Sequence, residues 1–305
     1  MSQENHIILD YKSQVQKIIH KAQIKKGYNK KVITFLEERG ENARAQKIRD
    51  CATLLGFTNI ENVAHIVKAN FCRERLCSVC AWRRQARFVS QMRPVMQNLE
   101  SDYRFIFATL TVKSVCRDEL ESVVDLLLRA YDRLLKLRQI SASWFGKIRT
   151  LELTYNEESD LFHPHLHILV AVKPTYFADE DLYISQEKLC YMWQNCLRVD
   201  YVPVCDIRAV DDNMAGAVET LKYGLKPAKG FKPLEAFADV LRGRRLVSFS
   251  GVFADMRKKL RLSSFEDVLI DDIPKKSSRY ECVLYKFDST GGVYKYYEKL
   301  YYERE

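Results

Sequence analysis

Three of the chain's six histidines lie in Phe162-His163-Pro164-His165-Leu166-His167-Ile168-Leu169-Val170. In a β-strand alternate side chains share a face. His163, His165 and His167 are therefore expected on one side, with Pro164, Leu166, Ile168 and Val170 turned into a core. Imidazoles at i and i+2 on a rigid strand can meet one metal ion, because strand twist tilts their tips together. Neutral imidazole suits Zn, Fe, Mn and Cu, and serves Mg when carboxylates join it. Pro164 donates no ladder bond and is expected at the strand's first residue. Upstream, Leu151-Glu152-Leu153-Thr154 sets one carboxylate between apolar neighbours. If the register of a hairpin brings Glu152 beside the imidazoles, it completes an oxygen–nitrogen site suited to Mg or Mn.

A second set of reactive side chains follows in Val218-Glu219-Thr220-Leu221-Lys222-Tyr223-Gly224-Leu225-Lys226-Pro227. On a helix Glu219 and Tyr223 are one turn apart, and Lys226 shares their face, while Lys222 points elsewhere. A phenol is a poor nucleophile until its pKa, near 10, is lowered or a base takes its proton. A nearby lysine or metal favours phenolate, and a carboxylate one turn away can act as general base toward the phenol or toward water. The chain has 17 tyrosines, so Tyr223 stands out only in company with the histidine strand.

The third set is Cys72-x4-Cys77-x2-Cys80, inside Asn70-Phe71-Cys72-Arg73-Glu74-Arg75-Leu76-Cys77-Ser78-Val79-Cys80. Cys-x2-Cys is a knuckle suited to tetrahedral zinc. Cys51 completes a four-thiolate set, with His65 as the alternative fourth ligand. Such a zinc would be structural, holding the following basic helix against the catalytic sheet. The remaining five cysteines show no comparable spacing.

Elements must position these groups. Val15, Ile18, Ile19 and Ala22, then Val32, Ile33, Phe35 and Leu36, recur at helical spacing and predict a helix pair ending near Gly40. Residues 81–99 read as a basic helix, 103–112 as a strand rich in β-branched and aromatic residues, and 118–140 as one long amphipathic helix. Residues 147–155 and 162–172 read as strands joined by the polar turn Asn156 to Asp160, a hairpin. Then come a helix over 185–198, a strand over 202–210 and a helix over 213–226. Gly243 to Phe253 suggests a short strand, Ala254 to Leu262 a basic helix, and 279–301 a tyrosine-rich hairpin around Gly291-Gly292. Strand-helix-strand units mixed with a hairpin predict an α+β, ferredoxin-like antiparallel sheet flanked by helices, with an N-terminal helical and Cys-rich segment. The chain divides into a helical extension (1–50), a Cys-rich knuckle with basic helix (51–100), a segment holding the histidine strand and the tyrosine helix (101–262) and a tyrosine-rich extension (263–305).

The 305 residues carry 47% hydrophobic and 29% charged side chains, enough for a sizeable core. The net charge of +9 favours a polyanionic partner. Arg83, Arg84, Arg87 and Lys222 are the expected DNA contacts. No run of about 20 apolar residues exists, so no membrane span or membrane partner is expected. Residues 1–10 are polar and show no secretory signal, and nine cysteines, an odd number, read as reduced thiols or metal ligands. The cytoplasm is the expected location.

The motifs resemble the rolling-circle replication initiators of Gram-positive plasmids, within the HUH endonuclease superfamily. Phe107-Ala108-Thr109-Leu110-Thr111-Val112 looks like the first motif, and His163-Pro164-His165-Leu166-His167 matches the metal motif. Glu219-Thr220-Leu221-Lys222-Tyr223-Gly224-Leu225-Lys226 is similar to the nucleophile motif, and the Cys-x2-Cys with Ala81-Trp82-Arg83-Arg84 looks like the segment upstream of motif one. Together these span residues 51–226.

The resemblance implies a nickase. A divalent metal, Mn2+ or Mg2+, held by His165 and His167 with His163 or Glu152, polarises the scissile phosphate. Tyr223 attacks and becomes a 5′-phosphotyrosine, leaving a 3′-hydroxyl primer. Glu219 activates water for a terminating cleavage, and Lys226 orients or neutralises the phosphate. The partner implied is origin DNA, duplex or hairpin with a single-stranded segment, together with a host helicase, since no Gly-x4-Gly-Lys-Ser/Thr phosphate loop occurs. The alternatives are a transposase or relaxase of the same superfamily, a non-catalytic zinc-dependent DNA-binding regulator, and a small-molecule metallohydrolase. Relaxases carry their tyrosine before the histidine motif, and a regulator leaves the histidine strand unexplained.

Overall fold

The computed structural model describes residues 10–210, 231–264, 268–271 and 279–303. Their order is α1 (Tyr11–Glu38), α2 (Asn42–Asp50), β1 (Leu54–Ile60), β2 (Val63–Ala69), α3 (Ser78–Leu99), β3 (Arg104–Thr111), α4 (Leu120–Leu134), α5 (Arg138–Ser143), β4 (Gly146–Asn156) and β5 (Leu161–Val172). After a 3-10 turn come α6 (Gln186–Leu197), β6 (Cys205–Ala209), α7 (Phe231–Val240), β7 (Val247–Gly251), α8 (Val252–Lys259), β8 (Arg279–Asp288) and β9 (Val293–Glu303). The expected helix over 213–226 lies outside the described residues. Among the described residues, no helix is long and apolar enough to cross a membrane.

The chain forms two compact units, Phe88–Ser263 and the remainder, Met1–Arg87 with Ser264–Glu305. The segments read separately as N-terminal helices, Cys-rich knuckle and tyrosine-rich end thus share one unit. Its sheet has the order β2-β1-β8-β9 and is antiparallel throughout. The first helix is one continuous 28-residue element rather than a pair. Asp10 caps it by accepting from the Ser13 N–H at 2.9 Å. It buries Val15, Ile19, Ala22, Asn29, Val32, Phe35 and Leu36 along one stripe. Strands β1 and β2, not foreseen, are joined by Glu61 and Asn62, both at positive φ (52° and 62°), the pair a type I′ turn requires. Gln14 of α1 fastens this hairpin, donating to the Asn62 carbonyl at 2.7 Å and accepting from the Ala64 N–H at 3.0 Å.

The second unit contains the sheet β6-β3-β5-β4-β7, also antiparallel between all neighbours. Numbering β3, β4, β5 and β6 from one to four, the spatial order is four-one-three-two, with helices between the first and second and between the third and fourth. That is the ferredoxin-like β-α-β-β-α-β arrangement, extended by β7 beside β4. The α+β expectation therefore holds. Helix 118–140 breaks in two, because Leu137 takes an extended conformation (ψ 135°) before α5. Pro164 is not the first residue of its strand; it lies inside β5, opposite Leu153 of β4. Phe162 exchanges both backbone bonds with Val115, and β3 begins pairing with β5 only at Thr111, opposite His165. By alternation the Pro164 nitrogen faces the gap between those two, so no ladder bond is lost.

Candidate functional site

The β4–β5 register sets Glu152 directly opposite His165, with Thr150 opposite His167 and Thr154 opposite His163. Glu152 Oε2 lies 3.2 Å from His165 Nε2 and 3.0 Å from His167 Nε2. Two donors at right angles around an ion with bonds of about 2.1 Å stand about 3.0 Å apart, so this trio matches one divalent cation. Glu152 and His165 are buried and His167 is half-buried.

Both imidazoles are oriented from behind. His165 Nδ1 is 3.1 Å from the His163 carbonyl, and His167 Nδ1 is 3.2 Å from Thr109 Oγ1. With an ion bound at the shared position, an Nδ1–H donated to each oxygen would leave both Nε2 lone pairs aimed at it, whereas without one the Nε2–H groups donate to Glu152. Phe107 stacks on the His167 ring at 5.4 Å and fixes its plane. Burial opposes ionisation of Glu152, but hydrogen bonds from His165 and His167 prevail and hold its carboxyl well below the usual carboxylate range.

His163 stands outside this donor group, although it shares the face. Its ring stacks on that of His165 at 5.2 Å. Burial, then the neighbouring His165, lowers its pKa, against a hydrogen bond to the Val112 carbonyl. The residues at 219, 222, 223 and 226 (Glu219, Lys222, Tyr223 and Lys226) lie outside the described residues.

In the other unit Cys51, Cys72, Cys77 and Cys80 converge, their sulfurs all within 4.8 Å of one another. The Cys51–Cys80, Cys72–Cys80 and Cys51–Cys77 separations are 3.5, 3.6 and 3.6 Å. Four thiolates about 2.3 Å from a tetrahedral zinc sit about 3.8 Å apart, so the donor set fits that ion. His65 is not among them; it pairs with Thr58 on the β1–β2 ladder. Helix α1 supplies the surroundings. Asn29, 2% exposed, donates from Nδ2 to Cys77 Sγ at 3.2 Å and accepts from the Ser78 N–H at 2.7 Å. Lys26 donates to the Cys51 carbonyl at 2.7 Å. Hydrogen bonds from Cys51, Cys72 and Cys80 hold the Cys77 thiol well below its ordinary range, while the same company pushes Cys51 up. Four converging thiolates, three of them buried, need a cation among them. The sequence could not reveal Asn29 or Lys26, which lie more than 20 residues from the cysteines they serve.

Arg83, Arg84 and Arg87, expected as DNA contacts, are instead buried, at 4%, 4% and 3% exposure. Arg83 pairs with Asp271 at 2.9 Å and donates to the Leu269 carbonyl at 2.9 Å. Arg84 donates to the carbonyls of Arg73 and Glu74. Arg87 lies 3.9 Å from Asp271. These guanidiniums are turned into the protein.

A family model described as "Replication protein" matches residues 63–295. Among curated proteins, "Protein rep" of Streptococcus pneumoniae is 34% identical over 235 residues, covering 73% of each chain. "Protein rep" of Lactiplantibacillus plantarum is 31% identical over 247 residues, covering 74% of this chain and 78% of its own. "Protein rep" of Staphylococcus aureus is 32% identical over 192 residues, covering 61% and 83%. No solved structure matches.

Proposed function

The chain belongs to the replication-protein family of rolling-circle plasmids, and from that premise we propose that it starts replication by nicking origin DNA in a metal-dependent transesterification. The observation that carries this reading is the Glu152, His165 and His167 group, one carboxylate oxygen and two imidazole nitrogens spaced for one divalent ion. Bound there, Mn2+ or Mg2+ supplies Lewis-acid polarisation of a phosphoryl oxygen. The His163 carbonyl and the Thr109 hydroxyl keep the two imidazoles aimed.

Tyr223 supplies the nucleophile. Its phenolic oxygen bonds to phosphorus, its proton leaves, and the bond from phosphorus to the 3′ oxygen breaks. The departing oxygen takes a proton and becomes a 3′-hydroxyl primer. The 5′ end stays on the protein as phosphotyrosine, which conserves the phosphodiester energy. Glu219 takes a proton from water in the terminating cleavage. Lys226 neutralises the phosphate, and Lys222 contacts the DNA. The four-cysteine group takes a structural Zn2+. The substrate is an origin hairpin with a single-stranded segment, a host helicase supplies unwinding, and the reaction takes place in the cytoplasm.

The test is incubation of the full chain with labelled origin-like hairpin oligonucleotides and Mn2+ or Mg2+, followed by mapping of the DNA-linked peptide. The adduct is expected on Tyr223. Tyr223→Phe should bind the DNA and form none. An adduct on another tyrosine removes Tyr223 from the mechanism, and no adduct with any origin sequence removes the reaction.

A further inference from the structure

Beside the histidine strand lies a cleft of about 340 Å³, within the range of roughly 300–1,000 Å³ common for small-ligand sites. It is walled by the end of β3 and the chain beyond it (Thr111 to Ser114), by His163, and by the run from Tyr201 to Val204 that leads into β6. The run is fastened on both sides. Thr111 Oγ1 donates to the Val204 carbonyl at 2.7 Å, and Trp193 Nε1 donates to the Thr111 carbonyl at 2.8 Å. The backbone N–H of Lys113 donates to the Tyr201 hydroxyl at 3.2 Å.

The lining is unusual for a water-exposed place. Val202 and Val204 are 74% and 75% exposed, the most exposed large apolar side chains among the described residues. Tyr201 adds an aromatic face, and the Lys113 ammonium sits 4.1 Å from its ring centre. Apolar and aromatic walls with one fixed cation at the rim match a nucleobase with its phosphate. The position matches too. His163 lines the cleft and stacks on His165, and Thr111 is the ladder partner of His165. A strand whose phosphate sits at Glu152, His165 and His167 therefore passes beside this cleft.

We propose that the cleft is a nucleobase subsite, holding one unstacked base of the single-stranded segment next to the scissile phosphate. Val202, Val204 and Tyr201 grip the base faces, and Lys113 meets a flanking phosphate. The Thr111 hydroxyl is committed to Val204, so the grip is by face and shape rather than by reading base edges. This deepens the nicking reading and rests on it.

The test uses the full chain and an oligothymidylate of about 20 residues carrying one 5-iododeoxyuridine, with crosslinked peptides mapped. Crosslinks are expected on Tyr201. The double variant Val202→Ser/Val204→Ser, neutral in charge and altered only at exposed positions, should bind the oligonucleotide about five- to tenfold more weakly. Replacing one base by an abasic site at the crosslinking position should cost the wild type a similar factor and the variant almost nothing. Lys113→Ala should lower the slope of log affinity against log salt by about 0.7, one phosphate contact. Unchanged affinity in the double variant, with crosslinks confined to other segments, overturns the subsite. Covalent attachment of DNA by the wild type is scored separately: a protein that attaches DNA but shows those results loses the cleft and keeps the nicking reaction.

Discussion

Replacing Asn29 tests whether the first helix and the four-cysteine group are one structural device. The Asn29 amide makes two contacts, a buried one from Nδ2 to Cys77 Sγ at 3.2 Å and a half-buried one from the Ser78 N–H to Oδ1 at 2.7 Å. Asn29→Leu keeps the number of side-chain heavy atoms and removes both. It leaves the first N–H of α3 unsatisfied at a half-buried position and one thiolate without its donor. An orphaned buried donor costs roughly 1–3 kcal/mol, and a bond to a charged acceptor is worth about 1.5–3 kcal/mol. The expected loss is therefore about 2.5–6 kcal/mol of stability for the metal-loaded protein. Support of this kind behind a metal ligand is worth roughly 10–100-fold in affinity. Asn29→Asp separates the two bonds: it keeps the acceptor for Ser78 but loses the donor and brings a like charge to the thiolates. Zinc affinity, measured by competition with a chromophoric chelator, should fall for both variants, and for Asp at least as far as for Leu. A lowered melting temperature with zinc affinity within twofold of the wild type would refute the coupling.

Further outcomes follow from the same geometry. Glu219→Ala should still nick but persist as the covalent adduct, seen as a slowed release of oligonucleotide in single-turnover gels. Gly56→Ala should destabilise the first unit by about 1–3 kcal/mol. A Cβ there would stand 2.7 Å from both Cys282 Sγ and Leu284 Cδ2 and 2.9 Å from Lys68 Cβ, so both neighbouring strands would have to move. Urea denaturation reads that loss. Arg83→Ala should lower stability, by leaving the Asp271 carboxylate without its close cation, while changing the salt slope of DNA binding by less than about 0.9, the value for one duplex phosphate contact.

The histidine strand was legible because its signal is local. Period-two alternation and a polar turn specify β4 and β5 from neighbouring residues alone. The pairing of Glu152 with His165 was not, because one residue of slip would carry the carboxylate to the other face. The turn Glu157–Asp160 and the ladder Asn156–Leu161 settle it. Strands β1 and β2 escaped notice because Glu61-Asn62 lacks the glycine that usually marks such a turn. The first helix reads as a pair because its apolar residues fall into two groups, Val15 to Ala22 and Val32 to Leu36, separated by a polar stretch that contains Gly27. With nothing within 4 Å of its Cα face, Gly27 costs the helix only about 1 kcal/mol relative to alanine. Arg83, Arg84 and Arg87 read as a solvent-facing basic helix for a different reason. The acid that draws Arg83 and Arg87 inward, Asp271, is 188 residues from Arg83 in sequence, and no local pattern announces it.

Pulsed electron paramagnetic resonance of the Mn2+-loaded protein bears most directly on the donor group on which the mechanism depends. Two histidine nitrogens should couple to the ion. His165→Ala or His167→Ala should remove one coupling and weaken binding, Glu152→Gln should weaken binding with both couplings kept, and His163→Ala should leave both in place. Mn2+ bound without imidazole coupling, or bound equally well by His165→Ala, would contradict the placement of the catalytic ion on β4 and β5.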